Sequence, residues 1–293
     1  PLLRKASAAG NTDATVNLGI LLARTERNEE AEPLLRKASA AGNTDATVNL
    51  GILLARTERN EEAEPLLRKA AAAGNTDATA SLGALLAATG RGQEAEPLLR
   101  KAVDAGDTDA AVRLGVLLDE VGGSVEAEAL FRQAAAAGSI HATANLGTLL
   151  MKTGRIEEAE RYLRQAAATG GTNATATATA NLGSLLFKAG RTKEAEALFR
   201  QASDAGDTDS TVNLGALLAM LGRSEEAKAL FRQASDVGNI NATVNLGVLL
   251  ATAGRRVEAE ALFQQAAAAG SIHATAMLDT LHTEAGRTED QAE

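Results

Sequence analysis

A period of 32 residues runs along the chain and restricts its fold more than any other feature. Residues 43–74 repeat residues 11–42 with one change, from Ser39 to Ala71. Such a period predicts a single array over residues 1–293, built of small units that bury their apolar faces against each other. Residues 1–10 would end a preceding unit, and the later units start at residues 75, 107, 139, 171, 207, 239 and 271, the last truncated at 293.

Each unit predicts two helices joined by a short turn. In residues 11–42 one apolar stripe marks a first helix and another marks a second helix. Asn11 is suited to cap the first helix, Asn28 is expected to cap the second, and Gly42 would end it. Because the turn is short, usually Gly-Arg, the two helices must pack antiparallel. The stripes are Ala14, Leu18, Leu21 and Leu22, and then Ala31, Leu34, Leu35 and Ala38.

A glycine recurs in the middle of each predicted first helix, where it destabilises the helix by about 1 kcal/mol relative to alanine. Close approach of the second helix, whose Ala31 and Ala38 recur in nearly every unit, would explain it. The row consists of Gly19, Gly51, Gly83, Gly115, Gly147, Gly183, Gly215 and Gly247.

One unit, residues 171–206, is four residues longer than the others. Four residues make about one turn of helix, so the insertion can lengthen the first helix without rotating its apolar face. We expect a local change of pitch near Thr175 to Ala178.

The pattern N-L-G-x-L-L, then x-G-R, then E-A-x-x-L-x-x-A resembles the tetratricopeptide repeat (TPR) family. The stretch A-A-x-x-G-x-x-x-A-x-x-x-L-G that ends at Gly147 is also similar to the related Sel-like repeats. The unit departs from the family in its length of 32 rather than about 34 residues and in lacking large aromatics. The resemblance implies an all-α, right-handed α-solenoid of antiparallel helix-turn-helix repeats, with the first helices lining a concave groove.

Asparagine precedes the Leu-Gly pair in six units, although it is a poor helix former. In the family this place faces the groove, so the resemblance implies a row of amides that binds the backbone of an extended peptide. Two alternatives stay open: the amides bond within the array, or they are inherited copies under no special demand. The predicted site is this asparagine row, Asn17, Asn49, Asn145, Asn181, Asn213 and Asn245, with the flanking Val16, Ile20, Val48, Ile52, Val212, Val244 and Val248.

An acidic row lies at the start of the first helices. An acidic residue in the first turn stabilises a helix by about 0.3–1 kcal/mol through its interaction with the helix dipole, and this gives the row a structural explanation. If the row also borders the groove, it would favour ligands that contain Lys or Arg. Basic residues of the second helices, such as Arg36 and Lys37, are predicted to pair with glutamates of neighbouring turns. The acidic row is Asp13, Asp45, Asp77, Asp109 and Asp209.

Composition excludes several other classes of function. The net charge of -9 disfavours nucleic acid as a partner, and no apolar run is long enough to cross a membrane. The absence of cysteine fits a reducing compartment, with the cytoplasm as the default. No phosphate-binding loop or nucleophile motif occurs, and His273 and His282 lack the spacing of a helical metal pair. We therefore expect neither an enzyme nor a cofactor or metal.

Three functions remain for such a chain. The first is an adaptor that grips an extended segment of a partner protein. The second is a sensor or regulatory region of a larger signalling protein, for example one with an ATPase domain. The third is a spacer that self-associates through exposed repeat ends, since the truncated last unit is expected to lack a polar cap.

Overall fold

The computed structural model describes residues 2–169 and 173–290, with the side chains of all of these except 173 and 284–290. The described residues form eighteen α-helices and contain no strand. In chain order the helices are α1 Leu2–Ala8, α2 Thr12–Arg24, α3 Asn28–Ala40, α4 Thr44–Arg56, α5 Asn60–Ala72, α6 Thr76–Ala88, α7 Gly92–Asp104, α8 Thr108–Glu120, α9 Ser124–Ala136, α10 Ile140–Lys152, α11 Ile156–Ala167, α12 Asn173–Lys188, α13 Thr192–Asp204, α14 Thr208–Met220, α15 Ser224–Asp236, α16 Ile240–Thr252, α17 Arg256–Ala268 and α18 Ile272–Asp290.

The helices pair into antiparallel hairpins that follow one another as in a solenoid. Even-numbered helices are the first helices of the hairpins, and odd-numbered ones are the second helices. In the hairpin of α4 and α5, α5 also packs against α6 of the next hairpin. The chain divides into two compact units, Pro1–Leu149 and Leu150–Glu293. Within the first unit α2 contacts α4, α4 contacts α6, and α6 contacts α8, so the first helices lie side by side.

The first helices begin where their capping residues predict. Asn11 Oδ1 accepts a hydrogen bond from the Ala14 backbone N–H at 2.8 Å. The prediction that Asn28 caps the second helix is wrong, because the first helical carbonyl belongs to Arg27, which accepts from the N–H groups of Glu30 and Ala31. Asn28 is instead the first residue of α3, and its Oδ1 is buried without a hydrogen-bond partner.

Glycines of this row let second helices approach their first helices closely, as predicted. The neighbour is a large side chain, however, and not the small alanines that the sequence suggested. A Cβ built on Gly215 would lie 2.6 Å from Cε1 of Phe231, and one on Gly51 would lie 2.8 Å from Cγ of Leu67. Because Phe231 and Leu67 are buried, the glycine makes room for the central core residue of the hairpin.

The lengthened unit extends its first helix. Helix α12 has 16 residues, whereas α14 has 13. Its apolar face is not rotated, because Leu182, Leu185 and Leu186 are buried like the corresponding leucines of α4. The inserted residues therefore add a turn before the hairpin core, as predicted, and the change of pitch stays a prediction. The start of this unit, residues 171 and 172, lies outside the described residues.

Helix α18 carries polar residues on the face that would receive a second helix. Asp279 stands where other first helices have the glycine of the row, and His282 stands where α16 has the buried Leu250. Both polar residues are exposed, and His282 Nε2 lies 3.0 Å from Glu260 Oε1. These two places of α18 are thus polar, and whether the last unit has a polar cap stays a prediction.

Candidate functional site

The asparagine row lies outside the core. Asn17 and Asn213 are exposed, and the other four members are half-buried. Asn49 Nδ2 donates to the Asp45 carbonyl oxygen at 2.8 Å, one turn earlier in the same helix. Among the described residues, the amides of Asn17, Asn145, Asn213 and Asn245 have no hydrogen-bond partner. Four of the six amides are therefore free to bind a ligand.

Four of the predicted apolar contacts are core residues. Val16, Val48, Val212 and Val244 are at most 7% exposed. Val16 packs with Ala38 of the same hairpin and Ala46 of the next, and Val48 repeats this arrangement with Ala70 and Ala78. Adjacent residues of a helix point in different directions, so a valine beside an asparagine does not share its face. Burial of these valines in the core leaves almost none of their surface for a ligand, which corrects the prediction that they line the groove.

The remaining apolar residues of the predicted site are accessible. Ile20 and Ile52 are partly buried, and Val248 is 37% exposed. Ile20 packs against the cluster around Val16, and Ile52 packs against the cluster around Val48. Each isoleucine thus leaves part of its side chain for contact with a ligand.

An open hollow of about 500 Å³ lies over the first helices α4, α6 and α8. It brings together Ile52, Asp77 and Asp109 of the predicted site with Ser81 and Arg113, which stand at the asparagine places of their units. Small residues form its floor: Ala55, Ala80, Ala84, Ala88 and Ala110. The hollow therefore lies where the asparagine row is interrupted.

Two members of the acidic row, Asp77 and Asp109, line this hollow. Asp77 and Asp109 lie in the first turns of α6 and α8, where a carboxylate interacts favourably with the positive end of the helix dipole. Both are exposed, and neither has a hydrogen bond or ion pair among the described residues. Asp13, Asp45 and Asp209 occupy the same first-turn place in α2, α4 and α14.

The hollow holds unequal numbers of positive and negative groups. Arg113 has no ion pair among the described residues, and Arg56 donates to the Ala23 carbonyl oxygen at 3.2 Å. Four carboxylates, Asp77, Asp107, Asp109 and Glu58, face these two guanidinium groups. The Asp107 carboxylate also caps α8 by accepting from the Ala110 N–H at 2.8 Å. The local charge is thus negative.

The second helices, in contrast, pair their charges in closed groups of four, which we call charge rings. In the ring of α5 and α7, Glu64 accepts from Arg68 of its own helix and from Arg91 Nη1 at 2.8 Å. Both arginines also donate to Glu94. The complete rings within the two units are Glu32, Arg36, Arg59 and Glu62; Glu64, Arg68, Arg91 and Glu94; Glu160, Arg164, Arg191 and Glu194; and Glu196, Arg200, Arg223 and Glu226.

The rings lower the pKa values of their glutamates. Hydrogen bonds from Arg91 and then Arg68 hold the pKa of Glu64 below its ordinary value of 4.5. Arg200 and then Arg223 lower the pKa of Glu196 in the same way. Pairing within neighbouring turns was predicted from the sequence, but pairing between hairpins was not. The recurrence of Glu and Arg at fixed places in most units was the signal that could have indicated it.

The described residues contain no group of three or more His, Asp or Glu side chains that could hold a metal ion. No described helix combines the length and the apolar character that crossing a membrane requires.

Two family models, both described as tetratricopeptide repeat, match most of the chain. One matches residues 139–207, and the other matches residues 16–78, 48–110 and 212–272. No curated protein matches the chain significantly.

Solved structures with similar folds include repeat proteins of several origins. A Sel1 repeat protein from Oxalobacter formigenes has a TM-score of 0.59 at 23% identity, over 96% of this chain and 89% of that one. A chain of the APC/C hetero-tetramer Cut9-Hcn1 has a TM-score of 0.65 at 15% identity, over 87% of this chain and 52% of that one. Pseudomonas aeruginosa pilF has a TM-score of 0.60 at 20% identity, over 70% of this chain and 97% of that one. These likenesses establish the fold.

Proposed function

Because the chain belongs to the tetratricopeptide-repeat family, we propose that it binds an extended segment of a partner protein along its first helices. Tetratricopeptide repeats mediate protein–protein interaction, and the proposal gives this chain the same role. The observation that carries it is the hollow over α4, α6 and α8, whose residues Asp77, Asp109 and Arg113 have no partner among the described residues.

The charge of the hollow favours a basic segment. Its four carboxylates outnumber its two guanidinium groups, and Arg56 already donates to a backbone carbonyl. A Lys or Arg side chain of the ligand would pair with Asp77 or Asp109, whereas Arg113 would hold a carbonyl or carboxylate beside it. The small alanines of the floor leave space for the ligand's backbone.

The amides of the asparagine row would add contacts of a different kind within each of the two units. The unpaired amides of Asn145, Asn213 and Asn245 can each donate to and accept from a peptide unit, whatever the ligand's side chains are. The amides would therefore contribute affinity, and the hollow would contribute the preference for positive charge.

An array of acidic, neutral and basic peptides tests the proposal on the full chain. We expect basic peptides to bind best and the double variant Asp77→Asn/Asp109→Asn to bind them about tenfold more weakly, because two charge pairs are lost. Replacing Asn145, Asn213 and Asn245 by alanine should weaken neutral and basic peptides alike.

The double variant Glu29→Gln/Glu61→Gln is the matched control. It makes the same change of net charge in exposed first-turn residues of second helices. It should bind basic peptides like the unchanged protein. Equal losses in the two double variants, or binding that no variant alters, would rule out this site.

A further inference from the structure

The interface between α15 and α17 lacks a carboxylate that the preceding charge ring contains. Lys228 occupies the position of the missing carboxylate. In the other second helices from α3 to α17 the equivalent residue is a glutamate. Of the charged residues at these ring places, Glu258 is the single carboxylate, and it pairs with Arg255, whereas a complete ring has two cations and two carboxylates. The glutamates at the place of Lys228 are Glu32, Glu64, Glu96, Glu128, Glu160, Glu196 and Glu260.

Arg232 and Arg255 at this interface have N–H groups without an acceptor in the described part of the chain, whereas the same groups of their counterparts in the preceding ring are hydrogen-bonded. In the preceding ring, Glu196 Oε1 accepts from Arg223 Nη1 at 2.7 Å and from Arg200 Nη2 at 2.9 Å. Arg255, the counterpart of Arg223, donates Nε and Nη2 to Glu258, but among the described residues its Nη1 has no acceptor. Arg232, the counterpart of Arg200, has no hydrogen bond or ion pair with any described residue.

Lys228 lies beside an open hollow that also borders Arg255. The hollow measures about 230 Å³ and lies between the start of α15 and the end of α16. The Lys228 side chain is only 18% exposed, and its ion pair is a long one, 3.6 Å from Nζ to Oε2 of the highly exposed Glu225. An incoming group thus finds space next to cations that the chain neutralises incompletely.

We propose that Lys228, Arg232 and Arg255 form a site for the carboxylate of an acidic segment in a partner protein. The preceding ring shows the geometry, because two arginines at the same places hold the Glu196 carboxylate between them. A partner's Glu or Asp would supply the missing carboxylate, accept from Arg255 Nη1 and Arg232, and neutralise Lys228. The site belongs to the second helices and is separate from the hollow over the first helices.

Titration of acetylated hexaglutamate into the ¹⁵N-labelled full chain tests this site. The Nε–Hε signals of Arg232 and Arg255 should shift in a saturable way, and added salt should weaken the binding. The variant Lys228→Glu supplies the missing carboxylate from the chain itself. It should stay folded, and its affinity for hexaglutamate should fall by a factor of at least about ten.

Two further variants separate a specific site from general attraction. Lys193→Glu makes the same change of charge at the start of α13 and should bind hexaglutamate like the unchanged protein. Glu196→Lys should create a second site in the preceding ring. Equal weakening by Lys228→Glu and Lys193→Glu would overturn the proposal. Tighter binding of inorganic phosphate than of hexaglutamate at the same arginine signals would also overturn it, in favour of a phosphorylated partner.

Discussion

Two turn residues, Glu26 and Glu58, hold a left-handed backbone with φ of 59° and 60°. The equivalent residue of every later turn is a glycine with positive φ. A side chain with a Cβ is destabilised in this region by about 1–2 kcal/mol, whereas glycine adopts it freely. The first two hairpins therefore contain strain that the others avoid. The glycines are Gly90, Gly122, Gly154, Gly190, Gly222 and Gly254.

We predict that Glu58→Gly raises the free energy of unfolding by about 1 kcal/mol, after allowing for the greater freedom of glycine in the unfolded chain. Urea unfolding followed by far-UV circular dichroism measures the change. The reverse substitution, Gly90→Glu, should lower stability by a similar amount. A lower stability of Glu58→Gly would contradict the assignment of strain to this turn.

Three second helices each contain a proline that destabilises the helix, as the left-handed glutamates destabilise their turns. Pro65 lies beyond the first turn of α5, which begins at Asn60, so its missing N–H removes a hydrogen bond of the helix interior. Pro33 and Pro97 take the same place in α3 and α7. Alanine takes it in four later second helices, at Ala129, Ala197, Ala229 and Ala261.

We predict that Pro65→Ala stabilises the protein by about 2 kcal/mol, because alanine restores the backbone donor and this gain exceeds the loss from the greater freedom of the unfolded chain. The midpoint of thermal unfolding should rise. Ala197→Pro in α13 is the matched reverse change and should lower it. An unchanged midpoint of thermal unfolding in Pro65→Ala would mean that the proline does not destabilise α5.

The sequence could predict helices better than contacts between hairpins. Apolar spacing and the caps at Asn11 and its counterparts placed the first helices correctly, because these signals act within a few residues. The core role of Val16 was missed because burial of that face depends on the next hairpin, which local spacing does not reveal. The charge rings and the cationic residues around Lys228 depend on how far neighbouring second helices lie from each other, which the sequence does not give directly.

At the scale of the whole molecule, the charge rings recur in both units and make stability depend on pH. The pKa values of Glu64 and Glu196 are lowered in the folded protein, so the unfolded chain binds more protons as the solution becomes acidic. The rings therefore stabilise the fold fully above the ordinary glutamate pKa of 4.5. This stabilisation disappears as the pH falls through the lowered folded-state pKa values.

We predict that Glu64→Gln/Glu196→Gln reduces stability at neutral pH and flattens the fall of stability below a pH of about 4.5. Thermal unfolding in a series of buffers measures both effects. Glu29→Gln/Glu61→Gln, outside the rings, should leave the acid dependence close to that of the unchanged protein. An identical acid dependence in all three proteins would mean that the rings do not stabilise the fold.

The strained turns at Glu26 and Glu58 also bear on how the array grew. Residues 11–42 and 43–74 differ at one position, so both carry the same unfavourable glutamate and the same helix-interior proline. A gene duplication copies such destabilising residues together with the rest of the unit. Each further copy of this unit would add one more strained turn, whereas a unit with the glycine found in every later turn would add none.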